Sequence, residues 1–119
     1  MAEWRIALPF VKPPLTSNQR MHWSEKAPVT AQVRRATAAL VRNAGIPKMD
    51  RCEVGLVWQV TIKRRRDADN LVPTLKAACD GIVDAGVVPD DTPDLMGKTM
   101  PTIVQAEKAG LFLTIRELP

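Results

Sequence analysis

Aspartates are the one candidate catalytic group that this chain carries in number and in close spacing. Asp67 and Asp69 stand two residues apart, directly after the basic run Lys63-Arg64-Arg65-Arg66. A second pair, Asp90-Asp91, follows about twenty residues later, with Asp94 close behind. Carboxylates held together repel one another unless a proton or cation intervenes, so such a set suits a hard divalent ion bound through oxygen. The basic run beside it suits phosphate. The plain alternative is that Asp67 or Asn70 caps the following helix and that Asp90-Asp91 forms a solvated turn. Lys76 reads either as a cation of the site or as the i,i+4 partner of Asp80.

Other chemistries lack their residues. His22 is the only histidine, which argues against a Ser-His-Asp triad or a Cys-His pair. No Gly-Lys-Thr phosphate loop and no dinucleotide-binding glycine pattern occurs. Cys52 and Cys79, without clustered histidines, do not make a zinc site and read as reduced thiols of a cytoplasmic protein. The start, Met1-Ala2-Glu3-Trp4-Arg5, does not read as a signal peptide, and no segment approaches the roughly 20 apolar residues that span a bilayer. A net charge of +4 suits a polyanionic partner without requiring one. Trp4, Trp23, Trp58, Phe10 and Phe112 are too scattered to form a stacking platform by themselves. Trp58 reads as core by its strand phase, and Trp23 as packed beneath a loop or stacked on a base.

The elements that must position these groups follow from periodicity and punctuation. At 119 residues the chain is expected to be one domain, 1–119. Arg5-Ile6-Ala7-Leu8 reads as a first strand, and Pro9 to Lys26 as a loop. Val29, Val33, Ala36, Leu40 and Val41 recur at helical spacing, predicting a helix from Pro28 to Ala44 with Gly45 as its stop. Arg51 to Arg65 alternates like a long strand with one buried face. That places Asp67 and Asp69 at its end, on the same side if the chain stays extended. A second helix is expected from about Val72 to Ala85, with Pro73 in its first turn and Gly86 after it. Val87 to Pro101 reads as a loop. Strands Thr102 to Ala106 and Leu111 to Arg116 follow, joined by a turn at Lys108-Ala109-Gly110. The order β-α-β-α-β-β predicts an α+β fold, a mixed sheet with two packed helices.

Three pieces in series resemble the RusA family of Holliday junction resolvases. They are Arg64-Arg65-Arg66-Asp67-Ala68-Asp69-Asn70-Leu71, Lys76-Ala77-Ala78-Cys79-Asp80, and Ala85-Gly86-Val87-Val88-Pro89-Asp90-Asp91. Pro13-Pro14 with Ser17 and Asn18 is similar to the family's proline-then-Ser-Asn segment. The resemblance implies a RusA-like homodimer that binds branched DNA, four-way junctions above all, and nicks two strands symmetrically with Mg²⁺, or Mn²⁺ in its place. It implies Asp67, Asp69 and Asp91 as metal ligands, and Lys76 as the active-site lysine. Asn18, Asn70 and Asp90 fall beside the site, and Lys63, Arg64, Arg65 and Arg66 fall on DNA phosphates. A flap- or fork-directed nuclease of the same fold and a non-catalytic branched-DNA-binding protein are the alternatives, with a cation-binding structural module as a third. Val72-Pro73-Thr74 is extra relative to the motif's short form. On a continuous helix three residues turn Lys76 by about 300°, within about 60° of its former face.

Overall fold

The longest alternating segment becomes the strand around which the rest is arranged. In the computed structural model, which describes residues 2–119, this is β2 (Cys52–Val60). Around it stand β1 (Glu3–Leu8), α1 (Trp23–Asn43), a 3₁₀ turn (Ala68–Leu71), α2 (Val72–Asp84), β3 (Met96–Lys98), β4 (Thr102–Gln105) and β5 (Gly110–Glu117). The fold is α+β, with a five-stranded mixed sheet. β5 lies between β1 and β2 and is antiparallel to both. The other edge of β2 is shared by two parallel partners, β3 beside Cys52–Val54 and β4 beside Val57–Val60. Pro101, which has no N–H to give a ladder, falls between β3 and β4.

One face of the sheet meets the helices. Ile6, Leu8, Val54, Leu56, Leu113 and Ile115 are buried in one core with Val33 and Val41 of α1 and Leu75 and Ile82 of α2. Period two in the strands and a three-to-four spacing in the helices produce this two-layer packing. The end of α2 is also latched to α1. Asp84 accepts from Arg34 at 2.5 and 2.8 Å, and Arg42 donates to the Asp84 carbonyl at 2.8 Å. Gly81 lets the two helices approach. A Cβ there would lie 2.5 Å from the Arg34 carbonyl and 2.8 Å from Thr37 Cβ. On an exposed helix Gly→Ala gains about 1 kcal/mol. Here overpacking reverses the sign, and Gly81→Ala is expected to lose about 1–3 kcal/mol in denaturant unfolding.

Three expectations change. β2 ends at Val60, not Arg65, because β5 runs out opposite Gln59 and β4 opposite Val60. Without a partner strand, alternation alone does not hold a ladder, and Ile62 is left exposed. α1 begins at Trp23, five residues before Pro28, because His22 serves as its N-cap with Nδ1 accepting from the Ser24 N–H at 3.2 Å. Pro28 then stands inside the helix, on an exposed turn, and removes one donor. The region from Val87 to Pro101 contains β3, whose three residues are too few to display a period. The remaining boundaries move by one or two residues. Cys52 and Cys79 are free and buried, and burial pushes their thiols up to about 11 and about 12. Among the described residues no helix is long and apolar enough to cross a membrane.

Candidate functional site

The chain leaves the sheet at Val60, bends at Thr61–Ile62 and runs irregularly to Asp67. Asp67 is the extended residue that starts the 3₁₀ turn (φ −102°, ψ 120°), and its side chain makes no capping bond. The capping alternative therefore does not hold for Asp67. Asp69 sits in the first turn of that 3₁₀ segment, exposed, so the two carboxylates are presented by a turn and not by a strand end. The expected same-side geometry of an extended Asp-X-Asp is replaced by that of a tight turn feeding α2.

The Pro13–Gln19 segment is stitched onto this turn. Ser17 N–H donates to the Asn70 carbonyl at 3.0 Å, and Ser17 Oγ reaches the Asp69 carbonyl at 3.5 Å. Thr74, in the first turn of α2, is fully buried; its hydroxyl accepts from Leu15 N–H at 3.1 Å and donates to the Leu15 carbonyl at 2.7 Å. Two backbone polar groups of the loop are thereby satisfied by one side chain. The result is a groove of about 440 Å³ in which Asn18, Trp58, Arg65, Arg66, Asp67 and Asn70 face one another. Trp58 is half-buried at its wall. Its indole N–H donates to the Val11 carbonyl at 3.2 Å, and the Arg66 guanidinium lies over its ring at 5.1 Å. Lys63, Arg64 and Arg66 continue the basic surface along the sheet edge beside Gln105.

The second acidic pair arrives from the other end of α2. Gly86, at φ +85°, turns the chain out of the helix, and the following segment returns along it. The Asp90 carboxylate accepts from the Asp91 N–H at 2.8 Å and so fixes the bend. Asp91 Oδ2 then accepts from Lys76 Nζ at 2.8 Å and lies 3.5 Å from Lys98 Nζ, while Lys98 also donates to the Asp91 carbonyl at 3.0 Å. Lys76 donates to Asp80 as well, at 2.8 Å. Lys76 is thus the i,i+4 partner of Asp80 and pairs with Asp91 as well. These carboxylates, Asp80 first, raise the Lys76 ammonium above its ordinary range, and Lys76, followed by Lys98, holds the Asp91 carboxyl below its own. Asp94 stays outside the cluster, exposed in the turn before β3, with its carbonyl accepting from Arg51 at 3.0 Å.

No protein-family model matches the chain, and no curated protein matches it.

The structure thus brings together Lys76, Asp80, Asp91 and Lys98 on one side, and Asp67, Asn70, Arg65, Arg66 and Asn18 on the other. The 3₁₀ turn and the first turn of α2 join the two sides. Among the described residues it does not gather three His, Cys, Asp or Glu side chains closely enough to hold a metal ion. Asp67, Asp69 and Asp91 supply the carboxylate oxygens that a hard divalent cation takes, but they stand apart from one another and do not form one ligand set here. A cation using Asp91 competes with two ammonium groups. The extra Val72-Pro73-Thr74 forms the entry of α2, with Pro73 in its first turn, and Lys76 still reaches Asp91.

Lys98 carries no mark in the sequence that points to this role. It lies in β3, inside a region read as loop, and its one signal is a lone lysine among apolar and glycine residues, Met96-Gly97-Lys98. β3 pairs Lys98 with Val54 of the central strand, which anchors the ammonium that grips the Asp91 loop.

Proposed function

We propose that this chain is a magnesium-dependent, structure-specific endodeoxyribonuclease of the RusA kind, resolving four-way DNA junctions by paired symmetric nicks. Its RusA-like fold would act as a homodimer, because two coordinated cuts need two sites. The setting is the cytoplasm of a bacterium, or of the host where a phage encodes it. One observation carries the reading: the Asp90-Asp91 loop folds back onto α2, so that Asp91 meets Lys76 at 2.8 Å. The helical-lysine piece of the resemblance thereby meets the Asp-Asp piece. The strap from Pro13 to Gln19 bonding to the Asp69-Asn70 backbone adds support, since the weaker part of the resemblance meets the stronger.

In this mechanism Asp67, Asp69 and Asp91 are the carboxylates that would hold Mg²⁺, or Mn²⁺ in its place, once drawn together on the DNA. Such an ion supplies Lewis-acid activation of water and of the phosphate. The chain's own residues do the rest. Lys63, Arg64, Arg65 and Arg66 bind flanking phosphates, giving an affinity that falls steeply with salt. Asn18 and Asn70, on the groove that contains Asp67, orient the backbone to be cut. Lys76, released from Asp91, turns its ammonium to the phosphate oxygens and stabilises the charge that grows there. Hydrolysis adds water across one phosphodiester, leaving phosphate on one end and hydroxyl on the other.

A second reading, a branched-DNA-binding protein that does not cut, draws on the engagement of Asp91 by two lysines. Labelled four-way junction, flap, fork and duplex incubated with Mg²⁺ separate the readings. The proposal expects nicks at the four-way junction in preference to the others. Preferred cutting of flap or fork redirects it to that substrate, and junction binding without nicking favours the second reading.

A further inference from the structure

Trp23 is the most exposed large hydrophobic side chain among the described residues, at 74%. It opens α1, and its ring lies 5.7 Å from that of His22, tilted by 38°. His22 is itself fixed, its Nδ1 lying 2.7 Å from Ser24 Oγ while it caps the helix. Aromatic rings of this size are ordinarily buried when the fold offers a place. Here the helix start holds one outward, against a second ring. The flanking side chains Arg20 and Lys26 are exposed cations, with Glu25 the one carboxylate of the stretch. A neutral or basic partner surface is a poor match for this basic setting. A polyanion that carries flat apolar rings is a good one.

The position is tied to the candidate site. Ser17, bonded to the Asn70 carbonyl at 3.0 Å, stands six residues before Trp23. Six residues span at most about 20 Å, or about six base-pair steps of duplex at 3.4 Å each. We propose that Trp23, backed by His22, is a stacking platform for an unpaired nucleobase at the branch point of the DNA. This inference rests on the nucleic-acid reading above. An indole face accepts any base, so the platform senses an available unstacked base and not a sequence.

The test compares wild type, Trp23→Ala and Trp23→Phe without divalent metal. Their binding to a four-way junction carrying 2-aminopurine at the branch point is set against binding to plain duplex of equal length. Trp23→Ala is expected to bind the junction about tenfold more weakly and to lose the change in 2-aminopurine emission. Duplex affinity and the unfolding midpoint stay unchanged, and Trp23→Phe keeps most of the junction affinity. Equal junction binding by wild type and Trp23→Ala overturns the platform. So does a dimer-to-monomer change in Trp23→Ala by sedimentation, which assigns the ring to a second copy of the chain. Wild type that binds neither DNA overturns the nucleic-acid reading itself, a failure visible before any substitution is made.

Discussion

Asp69→Asn is expected to reduce junction cleavage by about a thousandfold or more while leaving junction binding intact. The side chain is exposed in the first turn of the 3₁₀ segment, and the amide is nearly isosteric, so the fold has no reason to change. What is lost is a charged oxygen ligand, and residues that act as one catalytic unit lose most of their effect when one is removed. Removing a negative charge next to Arg64, Arg65 and Arg66 also favours phosphate, so affinity holds or rises slightly. Single-turnover cleavage with Mg²⁺ and gel-shift binding without it measure the two effects separately. Undiminished cutting by the variant removes Asp69 from the site.

Lys76→Met is expected to move two observables in opposite directions. Cleavage falls by about a hundredfold to a thousandfold, the usual loss when one preorganised group that stabilises developing charge is removed. Divalent-cation binding to the protein alone tightens, because Asp91 has lost the 2.8 Å partner that competes with the ion. Titration calorimetry with Mg²⁺ or Mn²⁺ reads the second effect. A lysine that only steadies the helix through Asp80 weakens both or neither. The methionine keeps the length and apolar stem of the lysine, so packing beside Val72 and Leu75 is retained.

Much of this arrangement was legible in the residues, and what was not has identifiable physical causes. The body of β2 and both helices rest on local periodicity, which a sequence displays directly. The end of β2 does not, because it depends on where β4 and β5 stop, and these lie about fifty residues away in the chain. The extension of α1 back to Trp23 was hidden because its cap is a histidine, outside the set of small oxygen-bearing residues that mark most helix starts. Asp67 and Asp69 are recognisable as a pair, but their mutual geometry changed once the strand gave way to a 3₁₀ turn. The return of Asp91 to α2 is a matter of loop path, and composition cannot fix that. Lys98 was invisible for a related reason. Its meaning comes from a three-residue strand added to the sheet edge, where it holds the loop that carries Asp91. The exposure of Trp23 likewise follows from the direction in which α1 starts, which no hydrophobic count foretells.

In the proposed reaction two copies of this chain cut a four-way junction together, using Mg²⁺. A supercoiled plasmid that extrudes a cruciform tests both halves at once, because the junction exists only while the circle remains intact. Coordinated nicking on two strands converts it to linear product, whereas one-sided nicking relaxes it and leaves an open circle. Linear product is expected with Mg²⁺, and none in EDTA or with Asp69→Asn. Supercoiled plasmid left intact by wild type with Mg²⁺ and with Mn²⁺, at concentrations where the junction is bound, contradicts it.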